Sequence, residues 1–163
     1  MRRAAAFVDA VRRSRSVHGR WVRPPSTIEE YRSYVQRFRK PTHIGHLVCT
    51  EDGLLAGVIN INEIVRASFC SGYLGYYALA PHHGRGYVRA GLVSVIQRAF
   101  RSYGLHRLEA NIQPDNSRSI ALVHSLGFRH EGYSPRYLKI AGRWRDHERW
   151  ALTAEEWKTR RII

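Results

Sequence analysis

The sequence predicts a mixed α/β domain: a mixed, mostly antiparallel sheet with helices packed on it. Three observations carry this reading. Segments of period-two apolar alternation, such as 105–112, stand beside segments of helical period, such as 88–103. Glycine, proline and turn residues mark the junctions between them. No repeat, low-complexity tract or Gly/Ser/Pro-rich linker interrupts the 163 residues, so one domain is expected over 1–163.

The elements follow in order. Residues 4–17 are expected to form an amphipathic helix through Phe7, Val8 and Val11. Pro24 and Pro25 break the chain. Ser26 or Thr27 then caps a second helix over 28–38, with Glu29 and Glu30 in its first turn and Pro41 ending it. Residues 46–50 read as a strand, Glu51-Asp52-Gly53 as a turn, and 54–65 as the next strand. An aromatic-rich strand, 73–80, stops at Pro81. Val88, Leu92, Val95, Ile96, Ala99 and Phe100 make the stripe of a helix that Gly104 closes. In 105–112, His106, Leu108, Ala110 and Ile112 share one face; Arg107, Glu109 and Asn111 share the other. Asp115 or Asn116 caps a short helix ended by Gly127. Two strands, 136–140 and 144–152, close the chain around a turn at Ala141-Gly142.

Composition narrows the function class. No apolar run is long enough to span a bilayer, and the N-terminus lacks the uninterrupted apolar stretch of a signal peptide. Two distant cysteines, Cys49 and Cys70, suggest no disulfide framework and point to a reducing cytoplasm. The formal charge of +14 attracts polyanions: RNA, a ribosome surface or a phosphate-bearing cofactor. The cations are spread along the whole chain, so a simply solvated basic surface fits equally well. None of the nine histidines has the i, i+4 spacing of a helical metal pair, and no metal is expected.

The informative junction is PHHGRGYV, between the strand ending at Ala80 and the helix near Val88. Glycine lets a backbone take positive φ and approach a ligand closely. The unbonded amides and positive dipole end of a helix N-terminus attract an anion, and Arg85 adds a cation. A pyrophosphate is the natural guest. G-x-G alone is a weak signal; here no Gly-Lys-Ser/Thr follows, and the third glycine of a dinucleotide fingerprint is missing.

The wider run from Tyr73 to Phe128 resembles the core of the GNAT acetyltransferase superfamily, above all its RimJ/RimL-type ribosomal-protein branch. The residues that carry the resemblance are GYLGYYALAP, HHGRGYVRAGL, LHRLEANIQPDNSRSIALVHSLGF and the tail EGYSPRYLKIAGRWRDHERWAL. The resemblance implies a GNAT fold, in which two neighbouring parallel strands splay apart and CoA slots between them. It implies backbone contacts to the pantetheine arm near Ala78, Leu79 and Ala80. It assigns the pyrophosphate to the loop of His83, Gly84, Arg85, Gly86, Tyr87, Val88 and Arg89, and places Asn116 against the cofactor. Three departures stand out. His83 replaces the family's Gln/Arg, Val88 replaces its final Gly/Ala, and the opening R-L-x-L-R strand is either missing or trimmed from the start.

The resemblance also proposes catalytic residues for acetyl transfer from acetyl-CoA to an amine. Glu109 matches the glutamate of RimI relatives, a candidate base; a surface carboxylate paired with Arg107 or Lys139 is the competing reading. Glu63 is a second acid at a strand end. Ser119 matches the serine of the RimL-type Asn-x-x-Ser pattern, a candidate acid for the leaving thiolate. Val123 stands where RimI relatives carry a tyrosine, leaving Tyr133 or Tyr137 as substitutes. The implied acceptor is a protein N-terminal α-amine, with a transient ribosome or RNA contact. A small-molecule amine acetyltransferase and a non-catalytic RNA- or ribosome-binding module are the alternatives. The sequence leaves the oligomeric state open, a dimer included.

Overall fold

A computed structural model describes residues 3–159. Six strands form one mixed sheet in the order β1-β2-β3-β4-β6-β5, flanked by helices. The strands are β1 (Ile44–Cys49), β2 (Leu55–Val65), β3 (Ser71–Ala78), β4 (Arg107–Ile112), β5 (Arg129–Ile140) and β6 (Arg143–Thr153). The α-helices are α1 (Ala4–Arg13), α2 (Arg15–His18), α3 (Ile28–Gln36), α4 (Tyr87–Arg101), α5 (Ser117–Ser125) and α6 (Ala154–Thr159). β3 and β4 pair in parallel; the β1–β2, β4–β6 and β5–β6 ladders are antiparallel. By internal contacts the chain divides into two compact units. One takes in the chain through Asn62 plus Gly75–Leu92; the other takes in Glu63–Leu74 and the chain from Val93 on.

In the first unit, α1 buries Phe7, Val8, Ala10 and Val11 in a cluster with Tyr31, Leu55, Val58 and Leu79. The apolar spacing of α1 is that of a helix with one buried stripe. α3 begins with a capping box: the Glu30 N–H donates to Thr27 Oγ1 (3.2 Å), while Glu30 Oε2 accepts from the Thr27 N–H (3.2 Å). The helix expected over 4–17 breaks at Ser14, which is fully buried. Its hydroxyl donates to the Ala10 carbonyl (2.6 Å) and accepts from the Ala80 N–H (2.8 Å). A serine that bonds back to the preceding turn competes with the helical ladder, and here the helix divides. Four residues on, His18 Nε2 lies 2.9 Å from the Ala78 carbonyl, with its ring edge-on to Tyr77 at 5.2 Å. Burial lowers the His18 pKa, so the neutral ring donates this bond through Nε2–H. These two side chains hold the end of β3.

In the second unit, β4 alternates as its sequence requires: Leu108, Ala110 and Ile112 are buried, while Arg107, Glu109 and Asn111 are half-buried. The parallel ladder registers Ser71 with Arg107, Gly72 with Leu108 and Tyr73 with Glu109. α5 is capped by Asn116, whose side-chain oxygen accepts from the Ser119 N–H (3.3 Å). β5 starts at Arg129, well ahead of the expected 136, and its pairing with β6 is interrupted by register shifts at His130/Gly132 and Ser134/Leu138. The turn-like Gly132 and Pro135 are absorbed by this irregular strand at the end of the strand order, where proline is tolerated. α6, not expected from sequence, buries Trp157.

Ser14→Ala removes the acceptor of the half-buried Ala80 amide as well as a hydroxyl. Leaving such a group unsatisfied costs about 1–3 kcal/mol. Urea denaturation is expected to show a loss in that range with an unchanged m-value; a loss below about 0.5 kcal/mol would show that the Ala80 amide finds another partner.

Candidate functional site

The loop between β3 and α4 lies wholly in the first unit. The chain leaves β3 through a cis Ala80–Pro81 bond, and the His82 N–H returns to the Leu79 carbonyl (3.0 Å). Gly84 and Gly86 then take φ of 75° and 82°, in the left-handed region. A Cβ built on either would meet nothing within 4 Å, so the space over both glycines is open. Helical bonding starts with the Ala90 N–H to the Gly86 carbonyl (2.9 Å). The Tyr87, Val88 and Arg89 amides ahead of it have no acceptor within the helix. Arg85 and Arg89 are exposed, and among the described residues neither pairs with a carboxylate. Open backbone, unbonded amides, a helix N-terminus and two free cations make a cradle for a multiply charged anion.

Two residues raised by the sequence look different in place. The Val88 side chain is turned toward β2: its Cγ2 lies 2.7 Å from where a Cβ on Gly57 would sit, and the Tyr77 carbonyl oxygen lies 3.0 Å from that point. The missing side chain of Gly57 makes room for the valine, which leaves the Val88 amide at the helix start. His83 is exposed, whereas His82 has a buried Nδ1 without a hydrogen-bond partner among the described residues. Near the strand end, several backbone groups are already in use. The Ala78 carbonyl meets His18, the Leu79 N–H donates to the Ala56 carbonyl (2.9 Å), and the Ala80 N–H donates to Ser14. A carbonyl oxygen can accept twice, so the Ala78 oxygen keeps capacity; the two amides do not.

The candidate catalytic residues lie in the second unit. Glu109 is 19% exposed, and its Oε1 accepts from Arg107 Nε at 2.9 Å. Arg107 also forms a two-pronged pair with Glu131, Arg129 bridges Glu131 to Glu156, and Glu156 caps α6 through the Thr153 N–H (2.8 Å). The Arg107 hydrogen bond holds the Glu131 carboxyl down at about 2. The ion pair with Arg107 foreseen for Glu109 is thus present, as part of a longer chain of charges. Tyr73, which the sequence did not single out, pairs in register with Glu109. Burial, then the neighbouring Glu109 charge and a hydrogen bond with Tyr137, raise its pKa. The signal was available in the two strand patterns, but only their register unites them.

Ser119 is half-buried in the first turn of α5, and Val123 is fully buried on the same helix. Asn116 uses its carbonyl oxygen as the cap and keeps its NH2 group for other partners. Tyr133 is 53% exposed and donates to Asp146, while Tyr137 bonds Tyr73. Glu63 is exposed within β2. Among the described residues no cluster of His, Cys, Asp or Glu could hold a metal, and no helix is long and apolar enough to cross a membrane.

Known proteins resemble the chain in both sequence and shape. The family described as Acetyltransferase (GNAT) domain matches residues 3–129. The [Ribosomal protein uS5]-alanine N-acetyltransferase of Escherichia coli is 42% identical over 103 residues, covering 63% of this chain and 53% of that protein. The probable N-acetyltransferase YjcK of Bacillus subtilis is 31% identical, covering 71% and 64%. The chain thus spans between about half and two thirds of these curated relatives. Mycobacterium smegmatis RimJ in complex with CoA-disulfide superposes with a TM-score of 0.86 at 28% identity, covering 95% of this chain and 79% of that one. A spermidine N-acetyltransferase from Vibrio cholerae shares the fold with a TM-score of 0.80 at 17% identity, over 96% and 93%.

Two predictions follow from the packing and the charges. Gly57→Ala drives a Cβ into Val88 and is expected to destabilise by about 1–3 kcal/mol, the usual range for overpacking. Adding Val88→Ala restores part of the loss; additivity in a double-mutant cycle would show that the two sites do not touch. Glu131 titrates lower folded than unfolded, so its contribution is complete above its ordinary value of 4.5 and is lost as pH falls toward 2. Urea midpoints between pH 5 and 2.5 should fall more steeply for the native chain than for Glu131→Gln; parallel curves would contradict the pairing.

Proposed function

Because the chain belongs to the GNAT acetyltransferase family, we propose that it transfers the acetyl group of acetyl-CoA to an amine, most specifically the N-terminal α-amine of a protein. The observation that carries the reading is the glycine loop, with its left-handed Gly84 and Gly86 and the unbonded amides of the first α4 turn. In this proposal residues 83–89 bind the CoA pyrophosphate, with Arg85 and Arg89 adding charge. The Ala78 carbonyl accepts from the pantetheine arm beside Leu79 and Ala80, and the Asn116 NH2 donates to the cofactor.

The chemistry asks little of side chains. The amine lone pair attacks the thioester carbon, a C–N bond forms, the C–S bond breaks, and one proton moves from nitrogen to sulfur. A peptide α-amine has a pKa of about 8, so part of it is already neutral near pH 7. Glu109, anchored through Oε1 to Arg107, receives the amine proton on its other oxygen. Ser119 donates to the departing sulfur. The reading treats the chain as a single catalytic domain acting in a reducing cytoplasm, where its two free cysteines stay reduced. The E. coli relative named for ribosomal protein uS5 supports a protein acceptor. A net charge of +14 repels polyamines, which disfavours the small-amine reading.

The test is incubation with acetyl-CoA and a panel of N-terminal peptides, read by mass. Acetylation at the α-amine is expected, with spermidine a much poorer acceptor; acetylation of spermidine alone would overturn the assignment. Glu109→Gln is expected to lower kcat/KM by about 10²-fold or more, without changing acetyl-CoA affinity. An unchanged rate would remove Glu109 from the mechanism.

A further inference from the structure

Beyond Glu109, the sheet of the second unit carries two polar side chains that proton transfer leaves unused. The β4–β6 ladder sets Asn111 opposite Arg149, two residues along from the Glu109–Ala151 pair, and the β5–β6 ladder sets Gly132 opposite Arg149. Side chains alternate along a strand, so Glu109, Asn111 and Arg149 share one face, and Tyr73 joins them through its register with Glu109. A Cβ on Gly132 would sit 2.8 Å from Arg149 Nη2, so the guanidinium lies over β5 in the space this glycine leaves. Neither polar side chain is satisfied: Asn111 Oδ1 and Arg149 Nε are buried with no hydrogen-bond partner among the described residues. Such atoms cost stability and are rare in folded proteins.

The acids that could neutralise Arg149 are engaged elsewhere. Glu109 accepts from Arg107 (2.9 Å), Glu131 from Arg107 and Arg129, and Glu148 from the indole of Trp150 (3.0 Å). His147, on the same face two residues before Arg149, is buried; burial lowers its pKa, so the ring is neutral near pH 7. Among the described residues Arg149 is therefore a half-buried cation without a carboxylate partner.

We propose, building on the acetyl transfer to a protein α-amine set out above, that Arg149 binds an acidic side chain at the second or third residue of the acceptor. Asn111 is its positioning residue. A guanidinium offers paired donors that match the two oxygens of a carboxylate. Asn111 Oδ1, across the ladder, is an acceptor for the Arg149 Nε–H; a bond between them satisfies both and leaves the Nη groups to the ligand. The spacing agrees. From β4 across β6 to β5 is about 10 Å, two inter-strand steps, and an extended peptide advances about 3.5 Å per residue. With its amine at Glu109, the acceptor brings its second or third side chain to Arg149. A free amino acid carries amine and carboxylate on one carbon and cannot span the two positions. A polyamine would bring a further positive charge to an unneutralised arginine.

The test is fluorescence anisotropy of peptides labelled at the C-terminus, titrated with the whole chain in the presence of CoA, followed by acetylation assays on the same peptides. Three peptides share one sequence and carry Glu, Gln or Lys at residues two and three. The Glu peptide is expected to bind about tenfold more tightly than the Gln peptide, and to show a lower KM at similar kcat. Arg149→Gln should remove that preference, Arg149→Glu should move it to the Lys peptide, and Asn111→Ala should reduce it severalfold. Arg32→Ala, which removes an exposed charge on α3, should leave it in place. Circular dichroism and acetyl-CoA binding should be unchanged in all of them. Equal binding of the Glu and Gln peptides by the native chain would overturn the assignment and leave acetyl transfer intact. So would a preference that survives Arg149→Gln, or one that Arg32→Ala abolishes as well. An Arg149-dependent preference without acetylation of any peptide would contradict the transfer and leave the carboxylate site standing.

Discussion

The hydroxyl of Ser14 holds two backbone groups at once, the Ala10 carbonyl and the Ala80 N–H, in a place that water does not reach. Much of the first unit depends on that bond. It ends α1, turns the chain into α2 and brings His18 to the Ala78 carbonyl. The last residues of β3 are thereby fixed by side chains from the N-terminal helices. The glycine loop therefore starts from a defined point and direction. A phosphate cradle built of amides needs such an anchor, because its donors cannot rotate into place individually as side chains can. Val88 shows the same logic one turn later: its bulk is taken up beside Gly57, so the valine does not disturb the helix start.

The second unit is organised by charge. Arg107 stands between Glu109 and Glu131, and Arg129 extends the chain of pairs to Glu156 at the start of α6. An isolated exposed pair contributes little, but partly buried arginine–carboxylate bonds in series fix side-chain positions. Glu109 is held by one oxygen as a result, with Tyr73 alongside it and Tyr137 bonded to Tyr73. The same carboxylate can thus be a structural partner of Arg107 and a proton acceptor; the two readings of this residue do not compete for the same oxygen.

Much of this was legible in the residues. Alternation gave the faces of β4, capping chemistry narrowed two helix starts to Ser26 or Thr27 and to Asp115 or Asn116, of which Thr27 and Asn116 do the capping, and the two glycines before α4 gave the loop its positive-φ positions. What escaped was non-local. Nothing near Ser14 announces that an amide sixty-six residues away will need its oxygen. The pattern starts the first tail strand at residue 136, yet pairing with β6 draws 129–134 into it, because sheet preference is set by partners more than by intrinsic propensity. The bond from Arg107 to Glu131, and the neighbourhood of Tyr73 and Glu109, depend on which strands lie side by side, which pattern alone does not fix.

The central claim is that main-chain donors at Gly84 to Arg89 grip the diphosphate of CoA. Amide chemical shifts of the isotopically labelled chain, followed by NMR during a CoA titration, address it residue by residue. The account predicts that the Gly84, Gly86, Tyr87, Val88 and Arg89 amides move most, and that pantetheine, which lacks the diphosphate, leaves them in place. Binding of CoA with those five resonances unmoved would contradict it.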